Sequence, residues 1–355
     1  MVSDVLLGNQ TNGDGTVPWF LNFTIANGTS VLTDGAKRDR LVWPGDMSIA
    51  VPSIAVSTYD LISLRNGLDS LVAYQSSDGM FPYAGFPVPL GGIVSYTYHL
   101  HTLINLYNYF QWSGDQVFLS GVWDAWKAGM AWATDQIDTS GLANVTASSD
   151  WLRSGMGGHN IEANAILLYT LNLGVSLAHV QSDTDSANLW SSFAAAIPPA
   201  AQTLLWDSSS GLFRDNETTE GALLLPQDGN AWAIKAGLFD SPEQATQITK
   251  GLQARWTEWG APAPEAQNAV SPFVTGFELE AHFLTNRTDA ALTLIRKMWA
   301  DFMLDDPRMT NSTFIEGYSA TGELHYPPYP ADDTISYAHG WSSGPTGSLT
   351  VCVSL

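Results

Sequence analysis

The most informative stretch of this chain is Lys37-Arg38-Asp39-Arg40-Leu41-Val42-Trp43-Pro44-Gly45-Asp46. It concentrates three cations, two carboxylates and an indole, whereas charged residues make up only 14% of the whole chain, against a norm of about 25%. A helix would bring Asp39 and Asp46 to one face, but Pro44 and Gly45 favour a loop. The stretch is therefore either an exposed charged loop or the wall of a polar pocket.

Length and composition limit the classes of protein that remain. A chain of 355 residues can bury a sizeable core, as one large domain or two ordinary ones. A net charge of −21 with only 14 Lys and Arg disfavours nucleic acid and anionic membranes as partners. Cys352 is the one cysteine, which excludes an intrachain disulfide. Neither a signal peptide nor a membrane span is recognisable in the sequence.

Metal and cofactor motifs are also missing from the sequence. His99 and His101 are two residues apart and would face different sides of a helix, and no third ligand accompanies them at zinc-like spacing. The glycine-rich nucleotide motifs, the serine-hydrolase elbow and H-E-x-x-H do not occur. We therefore expect neither a metal nor an organic cofactor.

Seven Asn-x-Ser/Thr sequons occur, which is more than the composition predicts by chance. They could carry N-glycans and favour passage through a secretory pathway. We therefore expect a secreted, extracellular protein whose signal peptide is not in this chain, and a chain that is part of a longer protein. The sequons begin at Asn9, Asn22, Asn27, Asn144, Asn216, Asn286 and Asn311.

Helical periodicity fills the chain after about residue 45 and predicts an all-α fold. Apolar residues recur every three or four positions, and turn-rich joints of alternating length separate the segments, as in paired helical hairpins. A strand is predicted only at Pro18–Ile25, in a short irregular or β segment at the N-terminus. The predicted helices are 47–64, 96–110, 118–136, 160–179, 184–204, 230–238, 242–256, 272–284, 288–303 and 335–353.

Two of the long joints contain candidate functional residues. Asp150-Trp151 lies in the joint before the helix that bears Glu162, where it is either an ordinary helix cap with a buried indole or part of a site. Glu316 is flanked by apolar residues, so its carboxyl is the most readily desolvated and tuned in the chain. Such a glutamate is also common as a structural hydrogen-bond acceptor.

The segment from Arg40 to Asp46 resembles the R-x-x-W-x-G-D motif of family 78 glycoside hydrolases, the α-L-rhamnosidases. In that family the residue before the arginine is a glutamate that acts as general acid, and here Asp39 occupies the position with a side chain one methylene shorter. Further motifs resemble the family in the same order. They are Ser113-Gly114-Asp115, Ser149-Asp150-Trp151-Leu152, Val274-Thr275-Gly276-Phe277, Phe314-Ile315-Glu316 and His339.

The resemblance implies an (α/α)6 barrel of six helical hairpins, the six-hairpin glycosidase toroid, over residues 36–355. Residues 1–35 would be an N-terminal segment that could be the remnant of a β-domain. The implied activity is that of an inverting exo-glycosidase that hydrolyses terminal α-L-rhamnose, with Asp39 as general acid and Glu316 as general base. The residues implied to shape the sugar subsite are Arg40, Trp43, Asp46, Asp150, Trp151 and His339.

Hydrolysis by inversion requires two carboxyl groups roughly 6.5–9.5 Å apart, with room for water between the base and the sugar. We therefore expect Asp39 and Glu316 to face each other across one pocket. Three alternatives remain open: another exo-glycosidase on the same toroid, a polysaccharide lyase that uses Tyr96, Tyr98 or His99 as base, and a degenerate barrel that binds carbohydrate without cleaving it.

Overall fold

The computed structural model describes residues 2–3, 25–37, 40–85, 93–153 and 155–353. Within these residues the chain forms eleven α-helices. In chain order they are α1 (Pro44–Ser57), α2 (Leu61–Ala73), α3 (Tyr96–Ser113), α4 (Gln116–Thr134), α5 (Ile161–Val180), α6 (Thr184–Leu204), α7 (Gln227–Lys235), α8 (Pro242–Gln253), α9 (Pro272–Leu284), α10 (Thr288–Ile295) and α11 (Gly344–Val353). A π-helix, Arg296–Leu304, continues α10.

The odd-numbered helices form a closed inner ring. Each packs against the next, from α1 through α3, α5, α7 and α9 to α11, and α11 returns to α1. Each even-numbered helix packs against the odd-numbered helix before it, on the outside of the ring. The prediction of an all-α (α/α)6 barrel is confirmed, and no outer partner follows α11 among the described residues.

Among the described residues, sheet is limited to two-residue strands. They are β1 (Val2–Ser3), β2 (Val31–Leu32), β3 (Trp206–Asp207), β4 (Leu212–Phe213), β5 (Pro262–Ala263), β6 (Ala269–Val270) and β7 (Tyr318–Ser319). The pairs β1–β2 and β3–β4 are antiparallel, and β6 pairs with both β5 and β7. The ribbon of β1 and β2 agrees with the predicted N-terminal β segment. Of the predicted strand Pro18–Ile25, only Ile25 is described, and it is not in a strand.

Three predicted boundaries were wrong. The single helix predicted over 47–64 is two helices, because Tyr59 adopts a φ of +55° and Asp60 then caps α2 by accepting a hydrogen bond from Ser63 N at 3.1 Å. Pro44 starts α1 rather than lying in a loop, since proline suits the first helical position. The segment predicted as helix over 335–353 is helical only from Gly344, after a short 3-10 turn.

The predicted domain boundary between residues 35 and 36 stays a prediction. Gly35 forms a β-bridge with His339, and Ala36 N donates to Ala338 O at 3.1 Å. The chain at this point is therefore bonded to the loop that precedes α11.

Helix α5 is the one helix of the described ranges that is long and apolar enough to cross a membrane by length and composition. However, 78% of its apolar window is buried inside the barrel. This is the pattern of an inner helix of a globular core, and it is weak evidence for a span.

The sequons differ in accessibility. Asn27, Asn144, Asn286 and Asn311 are exposed, whereas Asn9 and Asn22 lie outside the described residues. Asn216 is only 3% exposed. Its amide donates to Asp215 Oδ2 at 2.9 Å and its carbonyl oxygen accepts from Thr218 N at 2.9 Å. This burial disfavours a glycan at Asn216 in the folded chain, and the glycans at the other sequons stay predictions.

Candidate active site

An open pocket lies at the N-terminal ends of the inner helices, and its empty space, together with the solvent at its mouth, amounts to about 320 Å³. The partial positive charge of helix N-termini favours carboxylates at this end of the barrel. The side chains that line the pocket are Asp34, Trp43, Asp46, Tyr83, Tyr98, Asp150, Trp151, Leu152, Glu316, Tyr329, His339 and Trp341.

Six of the residues proposed from the sequence converge on this pocket: Trp43, Asp46, Asp150, Trp151, Glu316 and His339. Their chemical roles stay predictions. Arg38 and Asp39 lie outside the described residues, so the proposed acid and its separation from Glu316 stay predictions as well.

Arg40 is not among the lining side chains, contrary to expectation. It is half-buried and adopts a φ of +51°. Just beyond this left-handed turn, Leu41 pairs with Asp34: Leu41 N donates to Asp34 Oδ1 at 3.0 Å, and Asp34 N donates to Leu41 O at 3.1 Å. This pairing makes Asp34 the lining residue at that corner.

Glu316 is held as a hydrogen-bond acceptor in the loop between the π-helix and α11. Its Oε1 accepts from the Tyr329 hydroxyl and its Oε2 accepts from Ser336 N at 2.9 Å. Its backbone carbonyl accepts from Trp341 Nε1 at 2.8 Å. The side chain is 1% exposed. Two donors that face a buried carboxyl from different positions fix its orientation toward the pocket.

His339 and Asp46 form an ion pair across the pocket wall. His339 Nε2 lies 2.9 Å from Asp46 Oδ1, and Asp46 sits in the first turn of α1. Burial lowers the pKa of His339, but the negative charges of Glu316, Asp46 and Asp34 outweigh it and leave the pKa above its ordinary value. A protonated His339 would be a donor for a sugar hydroxyl or a stabiliser of Glu316.

Aromatic rings form another wall of the pocket. Trp43 packs edge-on against Tyr83 and Tyr98, with centroids 4.9 and 6.0 Å apart, and the two tyrosines are 4.9 Å from each other. Tyr83 also donates its hydroxyl proton to the backbone oxygen of Asp150 at 2.6 Å. Such faces suit the apolar side of a sugar ring.

A buried ionic network supports the loop that carries Asp150 and Trp151. Arg153 lies 2.9 Å from Asp228 Oδ2 and also contacts Asp215, and all three side chains are buried. Trp151 Nε1 donates to Asp228 Oδ2 at 3.1 Å, which fixes the indole at the pocket. The neighbouring Glu265 accepts from Asp228 N at 2.9 Å, and burial together with the charge of Asp228 raises the pKa of Glu265 to about 8.

The carboxyl oxygens of Asp150, Glu162 and Asp228 come within 4.8 Å of one another, which is a donor set for a hard cation. Arg153 already supplies the positive charge there, since its Nη1 lies 2.9 Å from Asp228 and 3.6 Å from Glu162. The guanidinium therefore compensates one of the negative charges of this cluster.

The residues suggested as lyase bases do not have the required properties. His99 is bonded on both sides, to Phe81 N at 2.9 Å and Gly129 O at 3.0 Å, and burial lowers its pKa to about 3. Tyr96 donates to Ala133 O at 2.9 Å, outside the pocket lining. Tyr98 does line the pocket, but burial and nearby Asp46 raise its pKa well above the ordinary value. A tyrosine base needs a lowered pKa.

Sequence reasoning missed four polar or aromatic residues of the pocket: Asp34, Tyr83, Tyr329 and Trp341. Asp34, Tyr83 and Tyr329 lie in loops, where no periodicity marks them, and Trp341 lies in the short 3-10 turn before α11. Tyr98, in the first turn of α3, was named from the sequence only as a possible lyase base.

The closed inner ring of helices with outer partners, and a pocket rich in carboxyls and aromatic rings at the N-terminal ends of that ring, define a barrel of the six-hairpin glycosidase class. Residues 20–262 match the model of the bacterial alpha-L-rhamnosidase six-hairpin glycosidase domain. This match covers more than half of the chain, and the chain therefore belongs to that family. No match was found among curated protein sequences.

Solved structures share the fold. The chain is similar to a rhamnosidase from Klebsiella oxytoca with rhamnose bound, at TM-score 0.75 and 21% identity over 90% of this chain and 60% of that one. It is also similar to a family 78 rhamnosidase of Bacillus sp. GL1, at TM-score 0.70 and 20% identity over 87% of this chain and 31% of that one. For Streptomyces avermitilis α-L-rhamnosidase complexed with L-rhamnose, the TM-score is 0.64 and the identity 17%, over 90% of this chain and 29% of that one. The chain thus spans about 60% of the Klebsiella protein and less than a third of the other two.

Proposed function

We propose that this chain is the catalytic domain of an exo-glycosidase that hydrolyses terminal α-L-rhamnose with inversion of the anomeric centre. The observation that carries the proposal is the convergence of Asp46, Asp150 and Glu316 on one small aromatic pocket in a barrel of the rhamnosidase family. Rhamnose bound to the Klebsiella oxytoca and Streptomyces avermitilis proteins supports the choice of sugar.

In this mechanism Asp39 protonates the leaving oxygen while Glu316 removes a proton from water, which attacks the anomeric carbon from the opposite face. The position of Asp39, directly before the R-x-x-W-x-G-D motif that begins at Arg40, supports Asp39 as the acid. Glu316 is buried at the pocket, and the Tyr329 hydroxyl and Ser336 N, which donate to its two oxygens, orient its carboxyl for this step. No metal or organic cofactor enters the proposal.

The remaining pocket residues would bind the sugar. The carboxylates of Asp46 and Asp150 would accept hydrogen bonds from hydroxyl groups, and His339 would donate one. Trp43 and Trp151 would contact the apolar face of the ring. Charged hydrogen bonds to the hydroxyl groups would fix the orientation of the sugar, whereas contact with the two indoles would bury the apolar face of its ring.

A screen of aryl glycosides, beginning with the α-L-rhamnoside, tests the proposal, with the anomers of the released sugar followed by NMR. We expect rhamnoside turnover with the β-anomer released first. The α-anomer released first would contradict inversion, and turnover of another glycoside alone would contradict the sugar. Binding of rhamnose without any turnover would indicate the degenerate barrel, and an unsaturated product absorbing in the ultraviolet would indicate a lyase.

We further propose that the protein is secreted and glycosylated, which the excess of sequons supports. Expression through a eukaryotic secretory pathway should give glycopeptides at exposed Asn27, Asn144, Asn286 or Asn311, detected by mass spectrometry, and none at buried Asn216. Absence of glycan from all exposed sequons would contradict this proposal.

A further inference from the structure

A buried carboxyl pair stands in the pocket wall. Asp150 Oδ1 accepts from the Thr97 hydroxyl at 2.6 Å, but no donor reaches its Oδ2 among the described residues. Glu162, in the first turn of α5, has an Oε2 that accepts no hydrogen bond in this part of the chain and lies 3.6 Å from Arg153 Nη1. Both residues are buried, at 4% and 1% exposure. Carboxyl oxygens left in this state cost free energy unless a proton joins them.

The local charges require that protons be retained. Asp150, Glu162, Asp215 and Asp228 surround one guanidinium, that of Arg153, and every member of the group is at most 5% exposed. Full ionisation would leave three negative charges uncompensated in a dry interior, which proteins avoid by protonation.

The hydrogen bonds indicate where the proton lies. Asp228 accepts from both Arg153 and Trp151, and Asp215 accepts from Arg153 and Asn160, so these two are satisfied as carboxylates. Asp150 and Glu162 carry the oxygens without donors, close to each other.

We propose that Asp150 and Glu162 share one proton, and that Glu162 is a positioning residue that fixes the side chain of Asp150 in the pocket wall. The shared proton follows from the buried pair itself, whereas its effect on sugar binding rests on the proposed function. Protonation of the pair leaves one negative charge at the wall instead of two.

The directions of the pKa shifts of Glu162 and Asp150 agree with a shared proton. Burial raises the pKa of Glu162 well above its usual range, and the charges of Asp150 and Asp228 add to this. Burial also raises the pKa of Asp150, although Glu162 and Arg153 oppose it. The charged or titratable groups around the pair are Arg153, Asp215, Asp228, Glu265 and Tyr98.

Because the pair binds its proton more tightly in the folded state, the proton is present at neutral pH and is lost as pH rises through the raised pKa. Two facing carboxylates then repel, and Asp150 leaves its position. Wild-type protein should therefore lose affinity for L-rhamnose on the alkaline side. Glu162→Gln, whose amide donates a hydrogen bond to Asp150 without titrating, should bind at neutral pH but lack this alkaline loss.

Two measurements test the pair. Infrared difference spectra at neutral pH should show a protonated-carboxyl carbonyl band that wild type has and that both Glu162→Gln and Asp150→Asn lose, whereas the band of protonated Glu265, whose pKa is about 8, should remain in all three proteins. Tryptophan fluorescence titrations with L-rhamnose across pH should show the alkaline loss in wild type and not in Glu162→Gln. Glu243→Gln, an exposed carboxyl on α8, is the control and should leave the band and the pH profile unchanged.

If both variants keep every protonated-carboxyl band of wild type, the shared proton is overturned, and an identical pH profile in Glu162→Gln and wild type would overturn the positioning role. If Glu162→Gln does not fold, the infrared spectrum of Asp150→Asn decides. Loss of the band in a protein that neither binds rhamnose nor cleaves rhamnosides would support the shared proton and contradict the proposed function.

Discussion

At the scale of single residues, the charge of His339 is set by its neighbours rather than by its own chemistry. A buried imidazole ordinarily loses its proton, yet three carboxyls around His339 reverse the direction of its pKa shift. The ion pair with Asp46 is therefore coupled to Glu316, because removal of either carboxylate weakens the hold on the same proton.

Asp46→Asn should lower the pKa of His339, because it removes a negative charge 2.9 Å from Nε2. A raised folded-state pKa stabilises the protein below the unfolded value, about 6.5, and this stability is lost as pH rises through the folded value. The variant should therefore show a smaller decrease in the free energy of unfolding over this window. NMR titration of the histidine ring protons measures the pKa directly.

Asp332→Asn provides the matched control, since Asp332 pairs with exposed His325 at 2.6 Å, outside the pocket lining. It should leave the titration of His339 unchanged. Equal pKa values for His339 in wild type and Asp46→Asn would contradict the role assigned to Asp46.

The two proposed catalytic carboxyls can be distinguished by their leaving-group dependence. Asp39→Asn should slow hydrolysis of an unactivated rhamnoside by roughly 10²–10⁴-fold, the usual contribution of a general acid. It should affect an activated aryl rhamnoside much less, because that leaving group scarcely needs a proton. Glu316→Gln should slow hydrolysis of both substrates alike. Measurement of kcat/KM for each variant with each substrate checks both expectations. Near wild-type turnover of the unactivated substrate by Asp39→Asn would place the acid elsewhere, with Asp46 or Asp150 next.

At the scale of elements, the joint between α3 and α4 is a two-residue turn. Gly114 adopts a φ of +66° and its N–H donates to Phe110 O at 2.8 Å, which ends α3. Asp115 then begins α4 by accepting from Phe118 N at 2.9 Å. The short turn forces the two helices to run antiparallel as one hairpin.

Gly114→Ala should destabilise the protein by about 1–2 kcal/mol, because a Cβ is disfavoured in the left-handed region although nothing lies within 4 Å of it. Gly121→Ala, within α4 and also open to space, should instead stabilise by about 0.4–1 kcal/mol. Urea unfolding of both variants measures the difference. Effects of the same sign would show that backbone conformation does not control this turn.

At the scale of the whole molecule, the barrel closes where α1, α9 and α11 meet. A Cβ on Gly276 of α9 would lie 2.8 Å from Ile49 Cδ1, and one on Gly344 would lie 3.0 Å from Gly276 Cα. The backbones of α9 and α11 therefore approach closely at this seam, which joins the last inner helix to the first.

Gly276→Ala should cost about 1–3 kcal/mol in the free energy of unfolding, since added volume in a packed core forces neighbours aside. The double variant Gly276→Ala with Ile49→Val removes the clashing Cδ1 and should recover part of that loss relative to Ile49→Val alone. Urea unfolding of wild type, the two single variants and the double variant gives the four free energies of unfolding of this double-mutant cycle. Strict additivity would contradict the seam as the cause.

The sequence by itself determined the elements whose signals are local. The predicted helices at 184–204 and 272–284 coincide with α6 and α9, because apolar spacing and flanking turn residues act within a few positions. The break between α1 and α2 was missed because the left-handed backbone of Tyr59 has no signature in a residue that is not glycine.

Only the tertiary structure decided the pocket. Resemblance supplied Glu316, Asp46 and His339 as candidates, but Asp46 and His339 are 293 residues apart and meet because α11 closes the ring against α1. Asp34 and Tyr329 enter from loops whose places depend on that closure. Helix formation is encoded by neighbours along the chain, whereas the charges, partners and burial of a site depend on which distant segments the packed ring brings together.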